Sequence, residues 1–349
     1  MKQIFHCLSF VTVLAWSVTA VSAGPNPYGP VSDSDGRIAG VVINEDDRPV
    51  ADATIKSQGV SSGHGGQQWG EAGRFVDEPV VSDARGKFLL RCKPQVELIY
   101  AMISAPDAAP QPIQLEPGQD YVVRMHAGVR VTGQLLAAGR PVPGVSVRCK
   151  PITPSIGENF VSSPVVSDSN GCFCLPHLPA DMSLILYTTM ADSLGQGTLA
   201  PQTFFSGENH SSTNLGVLTL QPSFQVAGRI LLSDGRPVPP RTRMLLVRQR
   251  VSDTAWFTLD SAGRFTFPFV PAETVSLGAR LKGYKFSRLN PCLDPQNDYI
   301  VGEVNQDITN LTLVLEPGDF HFTPAAGGAQ DNAEPLSRDH SLRGVSGSP

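Results

Sequence analysis

Apolar and polar residues alternate one by one in short runs along most of this chain. Val129, Val131, Gly133 and Leu135 share one face of such a run, with Arg130, Thr132 and Gln134 on the other. Val226, Gly228 and Ile230 alternate in the same way with Gln225, Ala227 and Arg229. A period of two predicts half-buried antiparallel strands. The runs also recur at long range. Gly40, Gly133 and Gly228 occupy like places in them, 93 and 95 residues apart. That spacing exceeds the ~20–50 residues of solenoid and propeller repeats and fits an all-β domain of ~100 residues. Three similar β-domains in tandem are therefore expected. The central Gly of each strand leaves room for a bulge, or for a bulky core residue or another backbone close by.

Two turns punctuate each unit. The first leads into Arg48-Pro49-Val50, Arg140-Pro141-Val142 and Arg236-Pro237-Val238. Asp47, Gly139 and Gly235 stand just before it, and both residue types accept positive φ. The Pro is tolerated at the start of the next strand. The second turn is Asp-x-x-Gly-x-Phe, at Asp83/Gly86/Phe88, Asp168/Gly171/Phe173 and Asp260/Gly263/Phe265. Asp with Gly three residues on fits a type I turn closed by a left-handed residue. The three Phe residues should then face the core. The Asp side chains are candidates for calcium ligation or for capping their own turns. One carboxylate per turn is far from the six to eight oxygens that calcium takes, so capping is the reading kept.

Composition agrees with this picture. The 33 Gly and 30 Pro among 349 residues make a turn-rich chain, and 41% hydrophobic residues suffice for packed cores. The formal net charge is −5, and −6 once Lys2 is removed. Basic residues are scattered, so the electrostatic footprint of a nucleic-acid partner is missing. Lys2, the apolar stretch from Ile4 to Trp16 and the small residues of Val21-Ser22-Ala23 read as a signal peptide over residues 1–23, cleaved before Gly24. That stretch is shorter than the ~20 residues of a spanning helix, and no later stretch is long and apolar enough to span. Residues 24–35 form a Pro/Gly/Ser/Asp linker, followed by domains at 36–128, 129–222 and 223–318. The tail over 319–349 has no aromatic residue from Thr323 onward and is expected to be disordered. The mature protein should be secreted, or held in the periplasm or cell envelope.

The turn residues carry a family resemblance. The second unit reads Gly139-Arg140-Pro141-Val142-Pro143-Gly144-Val145, then Val166-Ser167-Asp168-Ser169-Asn170-Gly171-Cys172-Phe173, then Leu178-Pro179-Ala180. The third gives Asp260-Ser261-Ala262-Gly263-Arg264-Phe265 and Val270-Pro271-Ala272, and the first departs most, through a long insertion. This text resembles the carboxypeptidase regulatory-like domain family over about 280 of the 349 residues. The resemblance implies an all-β fold of three tandem seven-stranded, transthyretin-like or Ig-like β-sandwich domains after the signal peptide. It also implies accessory modules of exported bacterial proteins, with a carbohydrate-binding-like fold. Its motifs belong to turns and core, so they are silent on activity.

Candidate chemistry is sparse. His64, His126, His177, His210, His321 and His340 are dispersed, with no His-x-x-Glu zinc pair, so no metal, cofactor or catalytic residue is assigned. Gly59-Val60-Ser61-Ser62-Gly63 spells a nucleophile elbow, but a glycine-rich run follows where the elbow needs a helix. Five Cys follow the signal peptide: Cys92, Cys149, Cys172, Cys174 and Cys292. Cys149 with Cys172 or Cys174 is a possible disulfide, and inert buried thiols are the simpler reading. The insertion from Gly59 to Glu78 holds Trp69 with His64, Gln67 and Gln68 beside it. A Trp flanked by amides suits stacking on a sugar ring, and the simpler reading is that it anchors the loop to its own domain. The expectation is a non-catalytic structural or interaction protein, with a cell-envelope protein or glycan as partner. The alternatives are a carbohydrate- or peptide-binding protein using the Trp69 loop, or an accessory subunit of a separate hydrolase.

Overall fold

The computed structural model describes residues 36–62, 66–69, 72–77, 80–152, 160–192, 195–251, 253–294 and 298–318. The signal peptide, the 24–35 linker and the 319–349 tail lie outside these, as does His64. The described chain is three β-sandwiches in tandem.

Each sandwich follows one plan. An opening strand (Arg37–Ile43, Val129–Ala137, Phe224–Leu232) pairs antiparallel with the strand that begins at the Phe motif (Lys87–Arg91, Cys172–Leu178, Arg264–Val270). On its other side it pairs parallel with the closing strand (Asp120–Arg124, Ser212–Thr219, Ile308–Pro317). The facing sheet is built on a second strand (Thr54–Ser62, Ser146–Pro151, Arg243–Arg248), bordered by Val80–Val81, Val165–Val166 and Thr254–Thr258 respectively. Beyond it stand Val96–Ala105 with Ala108–Leu115, Ser183–Thr188 with Gln202–Phe205, and Thr274–Arg280 with Tyr299–Glu303. Seven strands are thus common to the three sandwiches, with extra short strands added to each.

The repeated residues act where the pattern placed them. In every sandwich the central Gly lies directly opposite the motif Phe: Gly40 opposite Phe88, Gly133 opposite Phe173, Gly228 opposite Phe265. A Cβ on Gly40 or Gly133 would lie 2.5 or 2.6 Å from that ring, so the ring takes the missing side chain's space. In the third sandwich the closing strand bulges, and Leu311 O would meet a Gly228 Cβ at 2.1 Å. Both uses of a strand glycine therefore occur. Phe88, Phe173 and Phe265 are 4%, 4% and 1% exposed, so each forms part of its core.

The Asp turns are closed by their own side chains. Asp83 Oδ1 accepts from Arg85 N and Lys87 N, Asp168 Oδ1 from Asn170 N and Cys172 N, and Asp260 Oδ1 from Ala262 N and Arg264 N, all at 2.8–2.9 Å. Hydrogen bonds from the Lys87 and Arg85 amides hold the Asp83 carboxyl below its ordinary pKa. Gly86, Gly171 and Gly263 all sit at φ 72°. Their carbonyls accept from Val42, Leu135 and Ile230 N at 2.7–2.8 Å, which docks each turn on the opening strand. Asp47, Gly139 and Gly235 have φ of 62°, 76° and 73°, as the first turn requires.

A residue that the repeats also carry sits just before the motif. Ser82 and Ser167 are buried, and each hydroxyl accepts from a backbone amide (Ala53, Val145) and donates to a carbonyl (Val50, Val142). The third sandwich has buried Leu259 there, whose amide is satisfied by Thr242 O.

Candidate functional site

Among the described residues of the insertion in the first sandwich, 59–62 and 66–69 form an antiparallel strand pair and 72–74 a short 3-10 turn. Thr54–Ser62 runs on, and Gly66–Trp69 pairs back onto it with Gly59 opposite Trp69 and Ser61 opposite Gln67. Val60 is buried in this run, and that apolar position supports the strand's extension. The Trp69 ring rests over Gly59, whose added Cβ would lie 2.5 Å from it, and against Tyr100 at 4.9 Å between centroids. Gln67 Nε2 donates to Tyr100 Oη at 3.0 Å. Trp69 therefore does anchor the hairpin to its own sandwich, as the simpler reading had it. It also remains 43% exposed. Gln67 is exposed and Gln68 half-buried beside it.

Three of the histidines dispersed in sequence, His126, His177 and His210, meet at the junction of the first two sandwiches. Glu45, in the first hairpin, lies between His126 Nδ1 at 3.1 Å and His210 Nε2 at 2.5 Å, and it also accepts from Asn209 Nδ2 and the Ala127 amide. A carboxylate only accepts, so both ring nitrogens are assigned as donors. Nearby, His177 Nδ1 bonds Ala127 O at 2.8 Å, and Gly128 N donates to Asn209 Oδ1 at 2.7 Å. Met102 of the first sandwich is buried in the core of the second. Partial burial pushes the Glu45 carboxyl up, but hydrogen bonds from Asn209, His210, Ala127 and His126 outweigh it and bring its pKa from 4.5 to about 2. A depressed carboxylate stabilises above its unfolded pKa and loses that contribution as pH falls through the folded one. The junction should therefore hold at neutral pH and open as pH drops from 4.5 toward about 2. Limited proteolysis between the first two sandwiches would read this. Glu45→Gln should remove the pH dependence, and an unchanged acid profile in that variant would count against the clasp.

The second and third sandwiches are joined by a buried ion cluster. The Arg248 side chain is 0% exposed. Its Nε and Nη2 donate to the two Glu273 oxygens at 2.5 and 3.0 Å, and its Nη1 donates to Asp253 Oδ2 at 3.2 Å. The same Nη1 reaches across to Thr188 O of the second sandwich at 2.6 Å, and Asp253 Oδ2 accepts from Met190 N at 2.9 Å. Burial pushes the Asp253 carboxyl up, against the pull of Arg248. Burial alone would push the Arg248 guanidinium down, but its two carboxylate partners raise it. Met190 packs into the third core, and Val251 packs with Ile185 and Tyr187 of the second sandwich. No local sequence signal marks this Arg, since its partners lie up to 60 residues away.

All five thiols are free. Cys149 is buried in the second core, and burial pushes its thiol pKa well up. Cys172 and Cys292 are exposed, which corrects the expectation of inert buried thiols. Among the described residues no three His, Cys, Asp or Glu side chains converge closely enough to hold a metal ion. Among them, too, no helix is long and apolar enough to cross a membrane.

No protein-family model matches the chain, and no curated protein does. Solved structures show loose similarity. A streptococcal ancillary pilin matches at 12% identity over 81% of this chain and 100% of its own, with a TM-score of 0.28. BcpA, the major pilin subunit of Bacillus cereus, matches at 10% identity over 81% and 99%, with a TM-score of 0.23. The Bacillus anthracis TIE protein matches at 12% identity over 82% of this chain, with a TM-score of 0.24, and the match spans only 51% of that protein. Scores this low say nothing about function.

Proposed function

We propose that this chain is a non-catalytic, exported structural and interaction protein of the cell envelope, built of three carboxypeptidase regulatory-like sandwiches that act as one continuous unit. The observation that carries this reading is the pair of junctions. A flexible string of modules would keep its charges in solvent. Here Arg248 is withdrawn from water between two sandwiches, and Met102 and Met190 each enter a neighbour's core. Such burial suits a part that spaces or holds others. The shared turn chemistry and strand order support a single module used three times. In fractionated cells the mature chain should begin at Gly24 and sediment with the envelope. Recovery in the cytosol with Met1 retained would contradict the proposal.

A second reading, binding of a glycan or peptide at the Trp69 hairpin, is favoured by one observation. The ring is braced from below by Tyr100 and still 43% exposed, which suits a stacking platform. On this reading Trp69, Gln67 and Gln68 contact the ligand, with His64 from the adjoining segment. Retention on insoluble envelope polysaccharide should then be lost in Trp69→Ala, and equal retention of both proteins would exclude it.

A further inference from the structure

The three copies of the motif strand differ at one pair of positions. Around the buried Phe stand Lys87 and Leu89 in the first sandwich, Arg264 and Thr266 in the third, and Cys172 and Cys174 in the second. Phe173 and Leu175 point into the core, at 4% and 1% exposure. Cys172 and Cys174 therefore share the outer face, opposite Gln134 and Thr132 of the opening strand. Both thiols are free, and both line an open groove of about 700 Å³ with Thr132, Gln134, Asp168, Asn214 and Val217. A bulge in the closing strand between Asn214 and Val217 shapes its far side.

Residues two apart on a strand hold their Cβ atoms about 6.8 Å apart, well beyond the ~3.8 Å of a disulfide. The pair is thus prevented from closing on itself, though both thiols face the same space. Two metal–thiolate bonds of about 2.3 Å placed end to end span about 4.6 Å, which an inward lean of about 1 Å at each thiol supplies. Tetrahedral zinc needs four ligands; the one carboxylate that lines the groove, Asp168, is engaged by the Asn170 and Cys172 amides of its own turn, and no three His, Cys, Asp or Glu among the described residues are placed to hold a metal ion. The neighbouring hydroxyl and amides are poor substitutes for such ligands. Two thiolates alone match a soft cation of low coordination number. We propose that Cys172 and Cys174 bind one cuprous ion in this groove. Binding displaces two thiol protons and leaves a bis-thiolate centre of charge −1. Arg130 stands on the same strand face, two residues from Thr132, as a nearby positive charge.

The test is anaerobic titration of the reduced mature protein with Cu(I) against a chromogenic Cu(I) chelator. One Cu(I) per chain should be withdrawn from the chelator. Cys172→Ser and Cys174→Ser should each weaken this at least tenfold, with unchanged thermal midpoints because both side chains lie outside the core. Cys292→Ser, which removes the other exposed thiol, should bind as the parent does. Binding that survives either groove substitution, falls equally in Cys292→Ser, or appears at one ion per two chains would overturn the proposal.

Discussion

Arg248→Ala should destabilise the protein by about 3–5 kcal/mol, the largest effect expected of any single charge here. The guanidinium has no exposure, and its loss would leave Asp253 and Glu273 facing each other with no cation between them. It would also free Thr188 O, the contact that crosses to the second sandwich. The cost comes from stranding buried carboxylates more than from losing attraction, since a buried ion pair yields little net over an apolar replacement. A triple variant with Arg248→Met, Asp253→Leu and Glu273→Met should therefore recover part of the loss, since it removes the stranded carboxylates but still takes these partners from the Thr188 carbonyl and the Met190 amide. Denaturant titration of both variants checks this. A loss below about 1 kcal/mol for Arg248→Ala would place the cluster among surface pairs of little weight.

The second large effect belongs to Gly171. Gly171→Asn should cost about 3 kcal/mol, while Gly139→Asn in the same sandwich should cost only a few tenths. Both glycines have positive φ, 72° and 76°, and Asn tolerates that region. They differ in space. A Cβ at Gly171 would lie 2.4 Å from Leu135 O and 3.0 Å from Val142 N, both backbone atoms, whereas nothing lies within 4 Å of one at Gly139. The turn would have to lift off the opening strand and break the Leu135 N–Gly171 O hydrogen bond of 2.8 Å. Equal costs at the two positions would mean that dihedral preference, and not docking, fixes this glycine.

Much of the fold was legible because its determinants are local and repeated. Alternation gives strand faces, and Asp-x-x-Gly-x-Phe gives a turn, its cap and a core residue within six positions. The Gly–Phe pairing was half visible, since the glycine announced a close approach without naming the ring that makes it. The strands of the insertion are hard to read from sequence because its glycines hide a strand pair whose apolar signals are Val60 in one strand and Trp69 in the other. The junctions were illegible for a different reason. Glu45 meets His210 across 165 residues, and the linear order of the histidines gave no hint that His126, His177 and His210 gather at one place. Arg248 looked like one of many scattered basic residues, because nothing local shows that a charge will be covered by a neighbouring domain. The resemblance to a module family described each sandwich and was silent on how one packs against the next.

Calorimetric unfolding of the mature protein tests the claim of one continuous unit most directly. The second and third sandwiches share the ion cluster and the Met190 contact, so they should melt in a single transition whose calorimetric and van't Hoff enthalpies agree for the pair. In Arg248→Ala that transition should divide in two. Independent melting of all three sandwiches in the parent protein, unaltered by Arg248→Ala, would contradict the account.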